Sequence, residues 1–270
     1  MLAPHLRNCP ACGTDAGAPN VRLANKEDEV VQLEMRYSRA RIAAADVNAE
    51  KDFDAFVKLA SESDAVICMP CIRLLDLLRE TSLLSTFGLQ LEGESRVPQD
   101  NRFDNFRESV ESALFPNFSK EIRFAALTIR DVGQTAYGVC SVILRKSSIA
   151  GRASVFEYPL FDFAEKTGQQ LGQPIRPGHR ASWGNRAKLV AAKFGAKCAG
   201  LNSSELAELL LPAPTDTLSD CVEVHIFQSI NRHSIAHVTL TKPTEHMDEV
   251  LQSVLYDELQ KQSISARVAS

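Results

Sequence analysis

The sequence predicts an α+β protein in two unequal parts: a helical, zinc-clamped N-terminal region over residues 1–115, then a mostly antiparallel sheet domain with flanking helices over 116–270. Three observations predict it. Two Cys-x-x-Cys pairs, Cys9-Pro-Ala-Cys12-Gly13 and Cys68-Met-Pro-Cys71, lie in the first part. Apolar residues there recur at helical spacing. From Ile122 onward the pattern changes to short alternating runs that do not interleave regularly with helices.

In a chain with no sign of secretion, these four thiols read as a tetrahedral zinc site of Cys9, Cys12, Cys68 and Cys71. Proline and glycine in the first pair let the backbone turn tightly around an ion. Four sulfur ligands leave no open position for water, so such a zinc is structural. Fifty-five residues separate Cys12 from Cys68, which is long for a compact ribbon. The competing reading is two unrelated thiol pairs in a reducing compartment, with Cys140, Cys198 and Cys221 as small buried hydrophobes.

Taken in order, the segment from about Asn25 to Ala45 carries Val30, Leu33, Tyr37 and Ile42 among many charges and reads as a long amphipathic helix. A second helix is expected near Glu50 to Ser61, and a third from about Pro70 to Leu84. The first two would form a hairpin whose ends the metal ties together. Arg102 to Leu114 is helical until Pro116 stops it. Ile122 to Thr128 and Tyr137 to Leu144 read as strands joined through Arg130-Asp-Val-Gly-Gln as a hairpin connection, and Ala153 to Tyr158 as a third. Ser182 to Phe194 and Ser203 to Leu211 read as helices, the latter opened by Asn202 with Glu205 as a capping pair. Val222 to Phe227 and Ile235 to Leu240 are strands, and Glu245 to Gln262 is a final amphipathic helix.

Composition narrows the function classes. At 270 residues and 44% hydrophobic, the chain can bury a substantial core. A net charge of −4 lacks the global basic signature of a dedicated DNA-binding protein, so any nucleic-acid contact must be local. No apolar run reaches the ~18 residues of a membrane span, and the N-terminus holds cysteines where a signal peptide would have an apolar stretch. The expectation is a cytoplasmic protein with no membrane partner. Gly-x-Gly-x-x-Gly and Gly-x-x-x-x-Gly-Lys-Ser/Thr are absent, which disfavours Rossmann-type and P-loop enzymes.

Three places can carry chemistry. In Cys221-Val-Glu223-Val-His225-Ile, strand alternation puts Glu223 and His225 on one face and Val222, Val224 and Ile226 on the other. That pairing suits acid/base or oxocarbenium-stabilising chemistry, or else an exposed polar strand face. In Gly151-Arg152-Ala-Ser154, a guanidinium and a hydroxyl two residues apart can grip a pyrophosphate and orient a ribose. The segment from Ile175 to Lys197 collects Arg176, Arg180, Arg186, Lys188, Lys193 and Lys197, with His179 and the only tryptophan, Trp183, and no acidic residue. Arg176, Arg180, Trp183, Arg186 and Lys188 there are candidates for phosphate contact and base stacking; a solvated helix face anchored by a buried Trp is the alternative.

Tyr137-Gly-Val-Cys-Ser-Val-Ile-Leu144, Arg152-Ala-Ser154 and Val222-Glu-Val-His-Ile226 together resemble successive core strands of bacterial ADP-ribosyltransferase toxins and effectors. The resemblance covers about the last 150 residues. It implies NAD as co-substrate, Glu223 as the residue stabilising the oxocarbenium-like transition state with His225 beside it, and Ser154 at the serine position. Arg152 matches the phosphate-binding arginine, with Arg123 and Arg130 as rivals, and Tyr137 joins it in cofactor binding. The Ser-Thr-Ser triplet is missing, and Cys221 stands where arginine-directed members carry Glu or Gln. That difference turns the expected acceptor away from protein arginine and toward another nucleophile, including a nucleobase.

The leading expectation is therefore a NAD-dependent ADP-ribosyltransferase of toxin, effector or defence type, whose N-terminal zinc region recognises substrate or a protein partner such as an antitoxin. The alternative is a non-catalytic zinc-dependent nucleic-acid or protein-binding module. A nuclease is disfavoured because no Asp/Glu/His metal cluster is evident.

Overall fold

A computed structural model of the chain describes residues 11, 12, 20, 23–94, 102–115, 118–170, 173–212, 220–243 and 246–269. It opens with helices α1 (Glu27–Asp46) and α2 (Glu50–Glu62), followed by strand β1 (Asp64–Met69). Helices α3 (Cys71–Leu78), α4 (Phe87–Glu92) and α5 (Arg102–Leu114) lead to β2 (Ile122–Thr128) and β3 (Cys140–Leu144). The turn α6 (Lys146–Ile149), β4 (Ala153–Phe156), α7 (Leu160–Thr167) and the short strand β5 (Arg180–Ser182) follow. The chain continues through α8 (Arg186–Phe194), α9 (Ser203–Leu210), β6 (Glu223–Phe227), β7 (Ile235–Leu240), α10 (His246–Lys261) and β8 (Ser265–Val268).

Local chemistry explains several boundaries. Glu27, Asp28 and Glu29 fill the first turn of α1, where carboxylates complement the helix dipole, and Glu29 Oε2 accepts the Lys26 N–H at 3.1 Å. Asn202 Oδ1 accepts from the N–H groups of Ser204 and Glu205 while Glu205 accepts the Asn202 N–H, the reciprocal cap read from the sequence. The third helix stops at Leu78, six residues short of expectation, because Arg79 is extended. The helix expected from Ser182 starts only at Arg186; its first residues form β5 and a 3-10 turn.

The strands form one sheet of eight in the order β5-β4-β6-β2-β1-β3-β7-β8, antiparallel throughout except for the parallel pair β7-β8. β1 was not anticipated. After Asp64, its residues Ala-Val-Ile-Cys-Met are apolar on both faces, as a central strand requires. It inserts between β2 and β3, so the expected hairpin through Arg130–Gln134 does not form. The connecting residues instead fold over β1. A Cβ on Gly133 would lie 2.5 Å from Cys68 Sγ and 2.9 Å from Val66 Cγ2, so only glycine fits.

One face of the sheet builds the main core. Leu33 of α1, Phe53 and Phe56 of α2, Leu74 of α3, Val190 of α8 and Leu255 of α10 join Ala125, Val142, Val224 and Val238 from the strands. This core draws on residues from both sides of position 115, and β1 lies inside the sheet, so the chain does not part into two cores at the expected boundary. On the other face, Val110, Leu114, Phe115, Leu160 and Phe163 pack over Ile122 and Phe156. None of the described helices is long and apolar enough to cross a membrane.

Candidate functional site

Strand β6 places Val224 and Ile226 in the main core and Glu223 and His225 on the opposite face, under α5 and α7. Its neighbours set the rest. Ser154 of β4 and Phe124 of β2 stand directly opposite His225, and Phe156 and Ala126 opposite Glu223. The His225 ring is stacked on Phe156 with centroids 3.7 Å apart, and meets Phe124 and Phe115 edge-on at 5.0 and 5.3 Å. Its side chain is 3% exposed.

Inside this aromatic box, His225 Nε2 lies 2.7 Å from Glu223 Oε2. A carboxylate oxygen only accepts, which assigns the ring proton to Nε2. The other nitrogen, Nδ1, is buried and has no hydrogen-bond partner among the described residues. Glu223 Oε2 also accepts the backbone N–H of Leu160 at 2.9 Å, in the first turn of α7, where the helix dipole favours a negative charge. Both bonds converge on Oε2. Oε1 makes no hydrogen bond among the described residues, and the side chain is 17% exposed. The result is a carboxylate fixed through one oxygen, with no hydrogen bond at the other among the described residues.

Helix α5 supplies groups that sequence reasoning missed. Arg107, Glu111 and Phe115 follow at four-residue spacing and form one stripe. The Arg107 guanidinium sits 4.8 Å from the Phe87 ring and 5.5 Å from that of Phe124, and Phe115 touches His225, so Glu111 between them faces the same place. Glu111 Oε1 accepts from Arg107 Nε at 2.6 Å. Burial pushes the Glu111 carboxyl up from the ordinary carboxylate range; the Arg107 charge opposes this, and Glu223 and Glu108 add to it. An Arg/Glu pair at i,i+4 is a common surface pattern, and only the fold turns it inward.

The other expected residues are placed differently. Arg152 donates to three backbone carbonyls, Ser148 O at 2.8 Å, Phe227 O at 2.7 Å and Ser229 O at 2.9 Å, so it ties the ends of β4 and β6 together. Arg123 does the same with Leu84 and Glu121, and Arg130 pairs with Glu208. Tyr137 is exposed in the turn before β3, with β1 and β2 between it and β6. The structure thus groups Glu223, His225 and Ser154, and leaves Arg152 and Tyr137 outside that group.

Most of the basic segment is paired or packed within the protein itself. Arg180 is buried against Glu29 at 2.7 Å. Arg186 is buried over the Trp183 ring, with bonds to Ser63 Oγ, Trp183 O and Ser61 O, and Trp183 itself is buried. Lys188 pairs with Glu34 at 2.5 Å. Of the five candidates, only Arg176 is exposed with no acidic side chain against it among the described residues. The acidic partners come from α1, 151 and 154 residues earlier in the chain, which is why the segment alone looked basic.

The cysteine pairing also changes. Cys68 lies beside Ser141 on one face of the sheet, Sγ to Oγ 3.5 Å. Cys71 is buried on the other face with Cys140, Sγ to Sγ 3.6 Å, its backbone N–H held by Asp248 Oδ1 at 2.8 Å. Since Cys140 and Ser141 are consecutive residues of β3, the two sulfurs of the Cys68-x-x-Cys71 pair point to opposite sides and cannot share one ion. Cys9 lies outside the described residues, and Cys12 is exposed. Among the described residues no group of three or more His, Cys, Asp or Glu side chains is placed to hold a metal.

A second charged cluster joins α1 to the sheet edge. Buried Glu157 accepts from Arg36 through both guanidinium Nη atoms at 2.7 Å and lies 2.7 Å from His179 Nδ1. Burial pushes the Glu157 carboxyl up, but the His179 and Arg36 hydrogen bonds and charges outweigh it and hold the carboxyl below the ordinary range. No protein-family model matches this chain, and no curated protein matches it in sequence.

Proposed function

We propose that the Glu223, His225 and Ser154 face is the reaction centre of a NAD-dependent ADP-ribosyltransferase. One observation carries the reading: Glu223 is held through Oε2 by His225 and the Leu160 N–H, while Oε1 makes no hydrogen bond among the described residues and the side chain is 17% exposed. A preorganised carboxylate of this kind stabilises positive charge on a ribose without reorganising during the reaction. Ser154, opposite His225 on the neighbouring strand, is the residue that the resemblance to the transferase toxins matches to their ribose-orienting serine. His225 acts through Glu223 as a positioning residue. Nicotinamide leaves with the electrons of its ribosyl bond, and the protein's contribution is electrostatic.

Purified wild type and Glu223→Gln, incubated with NAD, test this by nicotinamide release. The amide still accepts the Leu160 N–H and keeps the packing, but loses the charge. Release is expected to fall by about 10²-fold or more. Equal release by the two proteins overturns the role of Glu223.

A further inference from the structure

We infer that the outward face of α1 is a self-association surface, on which α1 of a second copy of this chain packs parallel and in register. Helix α1 carries two apolar faces. One joins the main core, with Leu33 and Ala44 buried and Tyr37 and Ala40 packed beside them. The other, on the opposite side of the helix, is Val31, Met35, Ser38, Ile42 and Ala45, all exposed, with Val31 at 48%, Met35 at 43% and Ile42 at 62%. These residues follow at alternating spacings of four and three, which sets them in one line along the helix until Asp28 ends it. A face turned only to water gains nothing from three large apolar side chains in that line. The spacing is that of a seam by which one helix packs against another.

The flanks of the seam select the partner. Glu27, Glu34 and Arg41 run along one side and Gln32, Arg39 and Asp46 along the other, each set at heptad spacing. Two such helices laid parallel and in register bring each residue of the first flank against the residue five positions later on the second flank of the other helix. Glu34 then meets Arg39 of the second copy, Arg41 meets Asp46, and Glu27 meets Gln32. The two-fold axis repeats every pair, and no like charges stand opposed along the flanks. An antiparallel pair keeps only the Glu34 to Arg41 match, sets Arg39 against Gln32 and places Met35 on Ser38. Arg39 and Asp46 are exposed and make no ion pair among the described residues. Glu34 and Arg41 are held by Lys188 and by Glu50 and Asp54, but all of these are surface pairs that leave room for a second partner. With three acidic residues set against two arginines, the flanks lack the basic excess of a helix that lies on a membrane.

Sedimentation velocity of the full chain tests this over about 1 to 200 μM, since a contact confined to one pair of helices falls at the small end of interface sizes and gives a reversible dimer. Wild type is expected to move from the mass of one chain to twice that mass across the series. Ile42→Glu, at an exposed position, is expected to keep the wild-type circular dichroism and stay monomeric throughout. Arg39→Glu should weaken the dimer roughly tenfold, and Glu34→Arg in the same chain should restore it. In a Cys9→Ser, Cys12→Ser background, Ser38→Cys should cross-link to its own copy under oxidised glutathione, because only the parallel register brings the two positions together. Monomeric wild type at every concentration overturns the inference; if its Tm also falls in Ile42→Glu, a segment of the same chain covers the face instead. A dimer that Ile42→Glu leaves intact overturns the surface, and an Ile42→Glu-sensitive dimer without the Ser38→Cys cross-link overturns the register.

Discussion

Replacing Arg180 by methionine tests whether the basic segment is structural. Arg180 is 1% exposed and its partner Glu29 4%, with Nε to Oε1 at 2.7 Å and the guanidinium 5.9 Å from the Phe156 ring. Removing the cation strands a buried carboxylate, which costs about 3–5 kcal/mol. At roughly 2 °C per kcal/mol for a chain of this size, that is a drop of about 6–10 °C in Tm. Removing Glu29 alone strands the guanidinium at similar cost, plus about 0.5–1 kcal/mol for the lost acceptor of the Lys26 N–H. The double variant Arg180→Met, Glu29→Leu puts apolar groups in place of both charges and is expected to lie within about 1–2 kcal/mol of wild type, since well-packed hydrophobic replacements of buried pairs are often neutral. Urea unfolding of the four proteins closes the cycle. A single variant within about 1 kcal/mol of wild type, or a double variant as damaged as the two singles summed, would show that the pair is not a buried, mutually dependent unit.

Other expectations follow from the same geometry. The lowered Glu157 carboxyl contributes stability that is complete above the unfolded value near 4.5 and is lost as the pH falls through the folded value; Glu157→Gln should flatten the acid limb of a Tm–pH curve, and an unaltered limb would exclude it as the source. Gly133→Ala drives a methyl into Cys68 and Val66 and should cost about 1–3 kcal/mol, partly restored by Cys68→Ala in the same chain, as read by denaturant midpoints. Burial pushes the Cys68 thiol up to about 11 against the opposing bonds from Ser141 and Gly133, so native protein at pH 8 should modify quickly at Cys12 and slowly at Cys68, checked by mass mapping after brief alkylation. Metal content of purified Cys68→Ser and Cys71→Ser should equal that of wild type; loss of one zinc in both would restore the four-thiolate site.

Much of the local structure was legible. Helices α1, α2, α5, α9 and α10 and strands β2 and β7 lie within a residue or two of their expected spans, because each carries a periodicity or cap set by residues a few positions apart. β1 was hidden for a physical reason: its apolar run Ala65–Met69 shows no polar/apolar alternation, and Cys68-Met-Pro-Cys71 offered a competing explanation of the same stretch. Glu111 was equally silent, since nothing near it in sequence distinguishes an inward Arg/Glu pair from a solvated one.

The sequence by itself determined the α+β class, the faces of β6 and so the pairing of Glu223 with His225, because side-chain direction in a strand depends only on the backbone repeat. The tertiary structure decided which partners those faces meet. It placed β1 between β2 and β3, sent Cys68 and Cys71 to opposite sides of the sheet, and brought Glu29 to Arg180 across 151 residues. Such pairings depend on the packing of distant segments, whose contributions leave no periodic trace in the local sequence, and the burial of a charge is known only when its partner has arrived.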